Sequence, residues 1–381
     1  MDLVESRVSA ARASVMWDGR LHPLPGGLRG VVPQRILPIL GSSLFSPAGK
    51  LRMALGRAVP ARSVVGDEPL AAFVRRRLGR EMWDRLVEPL ATGVYAGDGD
   101  ELSLRATFPG LAGSSRRGRR HAEATPAGPA FLTPATGLAD LVMALRRAIG
   151  DERIRAGIGA SGIVRDGDGY RVLLDGGESL AADAVLVATP AHGAARLLEA
   201  LDPELARELR AIPHVSTTVV TVAVPTAAVA RPMDGHGFVI PRAVGSRVVA
   251  GSVISNKLPG RAPPGWTLVR TFIGRAGQPD PLASSDDTLI ALARRELRSA
   301  MGVEAAPALA RVVRWPAALP QYTIGHLERR VRIAERSRAH PGLAVAGNTD
   351  RGIGIPDCIA SAEAAVAIVR RHVLSPGSTG R

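Results

Sequence analysis

The stretch that most constrains this chain lies near its C-terminus. Leu343-Ala-Val-Ala-Gly-Asn348 is followed by Arg351-Gly-Ile-Gly-Ile-Pro-Asp-Cys358 and an alanine-rich run to about Val373. Residues 343–346 form a compact apolar run, as expected of a parallel strand covered on both faces. Gly347, Gly352 and Gly354 permit positive φ and leave space for another group to approach the backbone. Pro356 suits a first helical turn, and Asp357 suits the positive end of a helix dipole. A helix that starts this way presents free N–H groups to an electron-rich ligand. The same pattern also suits a plain strand-to-helix turn with no ligand, and only the rest of the chain can decide between the two.

At 381 residues the chain can bury a large core, in two domains or one elaborate one. Its formal charge is +14, and Lys50 and Lys257 are the only lysines, so the positive charge is almost all arginine. Arginine-rich codon usage, an acidic substrate or anionic membrane surface, and nucleic acid compete to explain that charge. The arginines are spread along the chain without interleaved aromatics and no nucleic-acid module is visible, which ranks nucleic acid last; no nucleic-acid partner is expected. A lone cysteine, Cys358, excludes an internal disulfide and a CxxC zinc site. The first residues lack the pattern of a signal peptide, and no apolar run reaches about 18 residues. The chain therefore reads as cytoplasmic, touching a membrane at most from its surface.

Taken in order, Asp18-Gly19 between two short extended runs predicts a hairpin. From residue 33 to 104 the pattern is helical. Starts fall at Ser46-Pro47 and Glu68-Pro69, and a further helix over 80–90 puts Met82, Leu86 and Leu90 on one face. Gly93-Val-Tyr-Ala-Gly97 reads as a break, Arg75-Arg-Arg77 as a solvated helix face, and residues 110–130 as an exposed basic loop. An amphipathic helix over 138–149 precedes β-type runs at 153–156, 163–164, 170–174 and 184–188. Residues 191–320 form a second unit. It has a helix over 192–211, strands at 217–224, 237–240, 247–253 and 268–273, a helix from Ser284 to Met301, and a strand over 307–315.

One motif misleads. Gly157-Ile-Gly159-Ala-Ser-Gly162 spells GxGxxG, but that pattern binds a dinucleotide only between a hydrophobic strand and a helix. Arg153-Ile-Arg-Ala156 is a poor buried strand, and another β-run with a DGDG turn follows. The match is read as coincidence.

Five separated segments carry a resemblance. They are Phe73-Val-Arg-Arg-Arg-Leu-Gly79, Glu88-Pro-Leu-Ala-Thr-Gly-Val-Tyr-Ala-Gly-Asp98, Leu102-Ser-Leu-Arg-Ala-Thr-Phe-Pro109, Pro320-Gln-Tyr-Thr-Ile-Gly-His-Leu327, and residues 346–359. In this order the chain resembles the flavin-dependent protoporphyrinogen and coproporphyrinogen oxidases, within the FAD amine-oxidase superfamily, from about Arg12 to Val373. The resemblance implies an α/β fold: an incomplete doubly wound FAD-binding domain, a mixed-sheet substrate domain and a helical insertion. It divides the chain into a hairpin start (1–32), a helical region facing membrane and substrate (33–110), the basic loop (111–130), FAD-domain parts (131–190 and 321–381) and a substrate sheet (191–320).

The activity implied is oxidation of a porphyrinogen to a porphyrin in haem biosynthesis, with FAD as cofactor and molecular oxygen as oxidant. No catalytic side chain and no metal are expected. The resemblance places Gly347, Asn348, Gly352, Ile353, Gly354 and Ile355 against the pyrimidine edge of the flavin, where negative charge gathers as the ring is reduced. It puts Ala160 beside the adenine and Trp315 beside the flavin, although Trp315 equally suits core packing. Arg12 is the partner expected for a substrate carboxylate. His22, His326 and Cys358 read as structural.

Relatives begin with a strand, GxGxxG and a helix, and no such unit precedes Arg12 here. A misplaced gene start, or a first segment supplied by another chain, is the expectation that follows. Two other readings stay open. One is a non-catalytic remnant that binds porphyrin or nothing, and the other is a different FAD amine oxidase, such as a carotenoid desaturase or monoamine oxidase.

Overall fold

The computed structural model describes residues 2–6, 13–29, 32–33, 37–56, 66–112, 132–350 and 352–374. Arg12, Arg351 and the expected basic loop from residue 113 onward lie outside the described residues. Internal contacts divide the chain into two units, residues 1–150 with 215–317, and residues 151–214 with 318–381.

The first unit is built on a seven-stranded sheet. Its order in space is Leu309–Pro320, His214–Pro225, Trp266–Ile273, Val248–Val253, Gly237–Val239, Ala13–Trp17 and Arg20–Pro23. Ala13–Trp17 runs parallel to Gly237–Val239, whereas the other registered neighbours are antiparallel, so the sheet is mixed as expected. The predicted hairpin forms at Asp18-Gly19, where φ is 48° and 70°, the doubly positive geometry of a two-residue hairpin turn.

Strand alternation divides the side chains of this sheet between two cores. Met16 and Phe238 join the core that the long helix Asp286–Met301 closes with Leu289, Ala293 and Leu297. Their neighbours Val15 and Val239 meet the helical region instead, with Leu70, Val74, Leu86 and Val87. Ser285 caps the long helix by accepting from Thr288 N–H, and Asp286 and Asp287 occupy its first turn.

The helical region departs from expectation in one place. Residues 80–95 are helical throughout, with one wider π-type turn over Trp83–Val87, and the helix passes through Gly93 instead of breaking there. It ends at Ala96, whose φ is 51°. Burial of Tyr95, edge-to-face with Phe108 at 5.7 Å, holds the last turn in place. Arg75 and Arg76 are not merely solvated, because Arg75 pairs with Asp100 and Arg76 forms a two-pronged pair with Glu68 at 2.7 and 2.9 Å.

The second unit opens with an antiparallel meander, Ala160–Asp166, Gly169–Leu174 and Ser179–Ala182. Gly157–Gly162 runs straight into this meander, so the GxGxxG match is a hairpin strand and no helix start. Residues 153–156, expected as β, make only the end of a short 3-10 turn, Asp151–Arg153, and open chain, because Arg-Ile-Arg offers no apolar face to bury. The single helix expected over 192–211 is two, Ala191–Leu198 and Pro203–Arg210. Past the end of the first, Asp202 N–H donates to the Leu198 carbonyl, and its carboxylate caps the second by accepting from Glu204 and Leu205 N–H. Burial pushes the Asp202 carboxyl up, but hydrogen bonds from Arg336, Leu205 N–H and His340 outweigh it and hold the group below the usual carboxylate range. That link fastens Pro203–Arg210 to the helix His326–Arg338.

Val185–Val187 and Leu343–Val345 then pair in parallel, residue for residue. Leu343 faces a core with Val187, Leu198 and Leu209, and Ala344 and Ala346 face Ala365 of the closing helix Ile355–Val373. Both faces of this short pair are therefore covered, as the apolar run predicts. Among the described residues, no helix is long and apolar enough to cross a membrane.

The first unit buries a charge pair. Arg275, with its side chain fully buried, donates to Glu88 Oε1 at 3.3 Å and to the Ser246 carbonyl at 3.0 Å. Glu88 also accepts from Thr92 Oγ1 and from Arg242 N–H, each at 2.9 Å, so one carboxylate ties the helical region to the sheet loops. Glu88→Gln would leave the guanidinium buried without its counter-charge, at a cost of about 3–5 kcal/mol. Thermal or urea unfolding of the variant should show that loss, and the double variant Glu88→Gln, Arg275→Met should recover part of it.

Candidate functional site

The path from the strand Leu343–Val345 to the helix Ile355–Val373 forms the candidate site. Ala346 N–H still donates to the Val187 carbonyl at 2.9 Å, so the sheet dictates where the turn begins. Gly347 has φ of 120°, and a Cβ built on it would meet nothing within 4 Å, leaving bare backbone in open space. Its N–H is fixed by Ser361 Oγ at 3.1 Å.

The other two glycines are needed for a different reason from the one expected. Gly354 has ordinary φ of −75°, and Gly352 is not among the residues of positive φ. Instead Asp357 fills the space beside both. A Cβ on Gly352 would lie 2.3 Å from Asp357 Oδ2, and one on Gly354 would lie 3.0 Å from the same atom. Asp357 folds back to accept from Gly354 N–H at 3.2 Å, the acid half of a capping box at the positive end of the 19-residue helix. Ile355 stands exposed at the helix start, while Ile353 and Asn348 are half-buried.

Beneath the turn lies a buried aromatic pair that sequence reasoning did not assign to the site. Tyr322 and His326 stack with centroids 4.2 Å apart and planes 17° from parallel, exposed by 0% and 1%. Tyr322 Oη donates to the Asn348 carbonyl at 2.6 Å, and His326 Nε2 lies 3.4 Å from the Asp350 carbonyl. Burial drives the imidazole pKa down to about 4, with Arg330 and Arg329 adding to the shift and the Asp350 carbonyl and carboxylate opposing it. Arg330 meanwhile holds the Asp350 carboxylate. Thr349 is buried, and among the described residues its Oγ1 has no hydrogen-bond partner. A cleft of about 940 Å³ adjoins the turn, lined by Leu343–Val345 and by Gly347, Ser361, Ala365 and Arg330 among others. The free edge of Leu343–Val345, which among the described residues pairs only with Val185–Val187, belongs to this lining.

Six of the expected site residues, Gly347, Asn348, Gly352, Ile353, Gly354 and Ile355, thus share one turn. Ala160 is half-buried in the meander, opposite Leu174, and does not line the cleft. Trp315 lies on the edge strand of the first unit and is 52% exposed, which rules out the core-packing alternative. His22 Nδ1 meets Ser43 Oγ at 3.1 Å, in keeping with a structural role. Cys358 is half-buried, and burial together with the nearby Asp357 pushes its thiol pKa up, away from the thiolate that redox chemistry needs. Among the described residues, no three His, Cys, Asp or Glu side chains gather to hold a metal ion.

Chemically the turn offers backbone dipoles and a helix N-terminus rather than an acid, base or nucleophile. The bare backbone at Gly347, the unpartnered Thr349 hydroxyl and the helix dipole fit the electron-rich edge of a planar heterocycle.

A model of the flavin containing amine oxidoreductase family matches residues 2–370. Coproporphyrinogen III oxidase of Bacillus subtilis is 33% identical over 96% of this chain and 81% of its own length. Chloroplastic protoporphyrinogen oxidase 1 of Spinacia oleracea is 29% identical over 93% of this chain and 68% of its own. The crystal structure of a candidate protoporphyrinogen oxidase from Exiguobacterium sp. 255-15 superposes with a TM-score of 0.82, at 30% identity, over 97% of this chain and 82% of that one. Cyclohexylamine oxidase from Brevibacterium oxydans shares the fold at a TM-score of 0.66 and 15% identity, over 97% of this chain and 83% of its own. The chain belongs to the flavin-containing amine oxidoreductase family and has that family's FAD cofactor and oxidoreductase chemistry.

Proposed function

We propose that this protein oxidises a porphyrinogen to the porphyrin in haem biosynthesis, using FAD and molecular oxygen. The observation that carries this reading is the near full-length likeness to relatives named for coproporphyrinogen III and protoporphyrinogen oxidation. Coproporphyrinogen carries more carboxylates than protoporphyrinogen, and the arginine-rich composition favours the more acidic of the two.

FAD supplies the hydride acceptor when bound. The chain's own part is to hold that acceptor and to stabilise charge. The backbone at Gly347, Asn348, Gly352, Ile353 and Gly354, with the N-terminus of Ile355–Val373, would meet the flavin edge that becomes electron-rich. No strand–GxGxxG–helix unit is found among the described residues. The free edge of Leu343–Val345 leaves room for a parallel strand of that kind. We also place the protein in the cytoplasm with a peripheral membrane contact, supported by exposed Leu37, Leu51 and Leu55 beside Lys50 and Arg52. Co-sedimentation with anionic vesicles should fall when Leu51 and Leu55 are replaced by Ser; unchanged binding would remove this contact.

The protein supplied with FAD should convert coproporphyrinogen III or protoporphyrinogen IX to fluorescent porphyrin, and only when oxygen is present. A flavin-loaded protein that oxidises amines but leaves both porphyrinogens untouched would overturn the assignment. At the turn, Gly352→Val drives a side chain into Asp357 and should lower FAD affinity by at least about 100-fold, the equivalent of roughly 3 kcal/mol of overpacking. Flavin titration against intrinsic fluorescence measures this. Gly354→Ala meets Asp357 at 3.0 Å and should do less harm.

A further inference from the structure

The segment Gln321–His326 is buried beneath the candidate flavin turn, yet neither ring in it reaches open space. Gln321, Tyr322 and His326 are exposed by 4%, 0% and 1%. The segment is tightly wound: Thr323 N–H donates to the Gln321 carbonyl and His326 N–H to the Thr323 carbonyl, each at 3.0 Å. Gly325, with φ of 87°, then caps the helix His326–Arg338, so the imidazole sits in its first turn. Two contacts of this rigid piece reach main-chain carbonyls of the turn, those of Asn348 and Asp350. Stacking fixes the two rings relative to each other, so the two contacts act as one.

The protonation state of the pair follows from its contacts. The Asp350 carbonyl can only accept, so His326 Nε2 must carry the hydrogen. Among the described residues, His326 Nδ1 is buried with no hydrogen-bond partner, and a proton there would be a buried donor without an acceptor. The charged groups that face the ring are Arg329 and Arg330 on its own helix and the Asp350 carboxylate on the turn. The imidazole is therefore a neutral donor, like the Tyr322 hydroxyl.

We propose that Tyr322 and His326 are positioning residues that grip the carbonyls of Asn348 and Asp350 and so hold the turn's backbone in place beside the flavin. This rests on the placement of the flavin at the turn. Donating to the Asn348 carbonyl fixes the plane of that peptide, including the Thr349 N–H, and the second contact anchors the backbone again at Asp350. Loss of the grip lets the backbone that leads to Gly352–Gly354 and the helix N-terminus drift from where negative charge gathers. Affinity for reduced flavin should then fall more than affinity for oxidised flavin, and the midpoint potential of the bound cofactor should become more negative.

The test uses Tyr322→Phe, which keeps the stack and removes one donor, and His326→Phe, which keeps a ring and removes the other. His326→Gln restores an N–H donor. Each variant is titrated with FAD, its midpoint potential is measured by dye equilibration, and its melting temperature is recorded without flavin. FAD affinity should fall about 3- to 10-fold in each Phe variant, the loss of one neutral hydrogen bond. The potential should shift negative, and His326→Gln should recover much of both effects. If either folded Phe variant binds FAD with unchanged affinity and potential, the pair is only structural and the proposal is wrong, whatever happens to the melting temperature. Gly352→Val separates the two ideas. If it too binds FAD normally, the placement of the flavin is at fault; if it alone loses FAD, only the grip is.

Discussion

The parallel pairing of Val185–Val187 with Leu343–Val345 is the constraint on which the candidate site depends. It is only three residues long, and its register is held mainly by what covers its faces. Leu343 must meet the apolar core of the second unit, and Ala344 and Ala346 must meet the alanine face of the closing helix. A slip of one residue would exchange the two faces, setting a leucine against Ala365 and alanines in a leucine-sized space. With the register fixed, Gly347 is the first residue past the sheet, and the direction of the turn follows. The small residues at 344, 346 and 365 thus matter for more than close packing, because they choose which residue starts the turn.

Polar burial is handled in contrasting ways in the two units. In the first, Glu88 accepts from several partners and Arg275 donates through both terminal nitrogens, and their network joins the helical region to the sheet loops. In the second, Asp202 is equally well satisfied, by two backbone N–H groups, an arginine and a histidine. At the turn, among the described residues, Thr349 Oγ1 and His326 Nδ1 are buried without hydrogen-bond partners, as are a few atoms elsewhere, Arg275 Nε among them. Such groups are uncommon enough to need a reason, and the two at the turn sit close to the bare backbone of Gly347.

The sequence carried the second unit's closing motif well, because its information is local. An apolar run, a glycine, a proline and an acid within about one turn of each other specify strand, bend and helix start without reference to anything distant. The Asp18-Gly19 hairpin and the rejection of Gly157–Gly162 as a dinucleotide site were legible for the same reason. What could not be read locally was space. Gly352 and Gly354 looked like positive-φ positions, yet their requirement comes from a carboxylate that folds back from Asp357. The break expected at Gly93 failed because burial of Tyr95 two residues later outweighs a glycine's weak helix propensity. Tyr322 and His326 were visible as part of a motif, but their grip on the turn depends on a chain segment more than 20 residues away.

The mixed sheet of the first unit has a consequence for how the protein is made. Ala13–Trp17 is synthesised long before one of its sheet partners, Gly237–Val239, which follows only after all of residues 151–214. Until then this strand can pair only with its own hairpin partner, Arg20–Pro23, and its other edge stays open. Val15 and Met16, which end up in two different cores, wait for most of that time without either core complete. A nascent chain with so long a wait is a natural client for chaperones, and slowing translation would lengthen its exposure rather than help it fold.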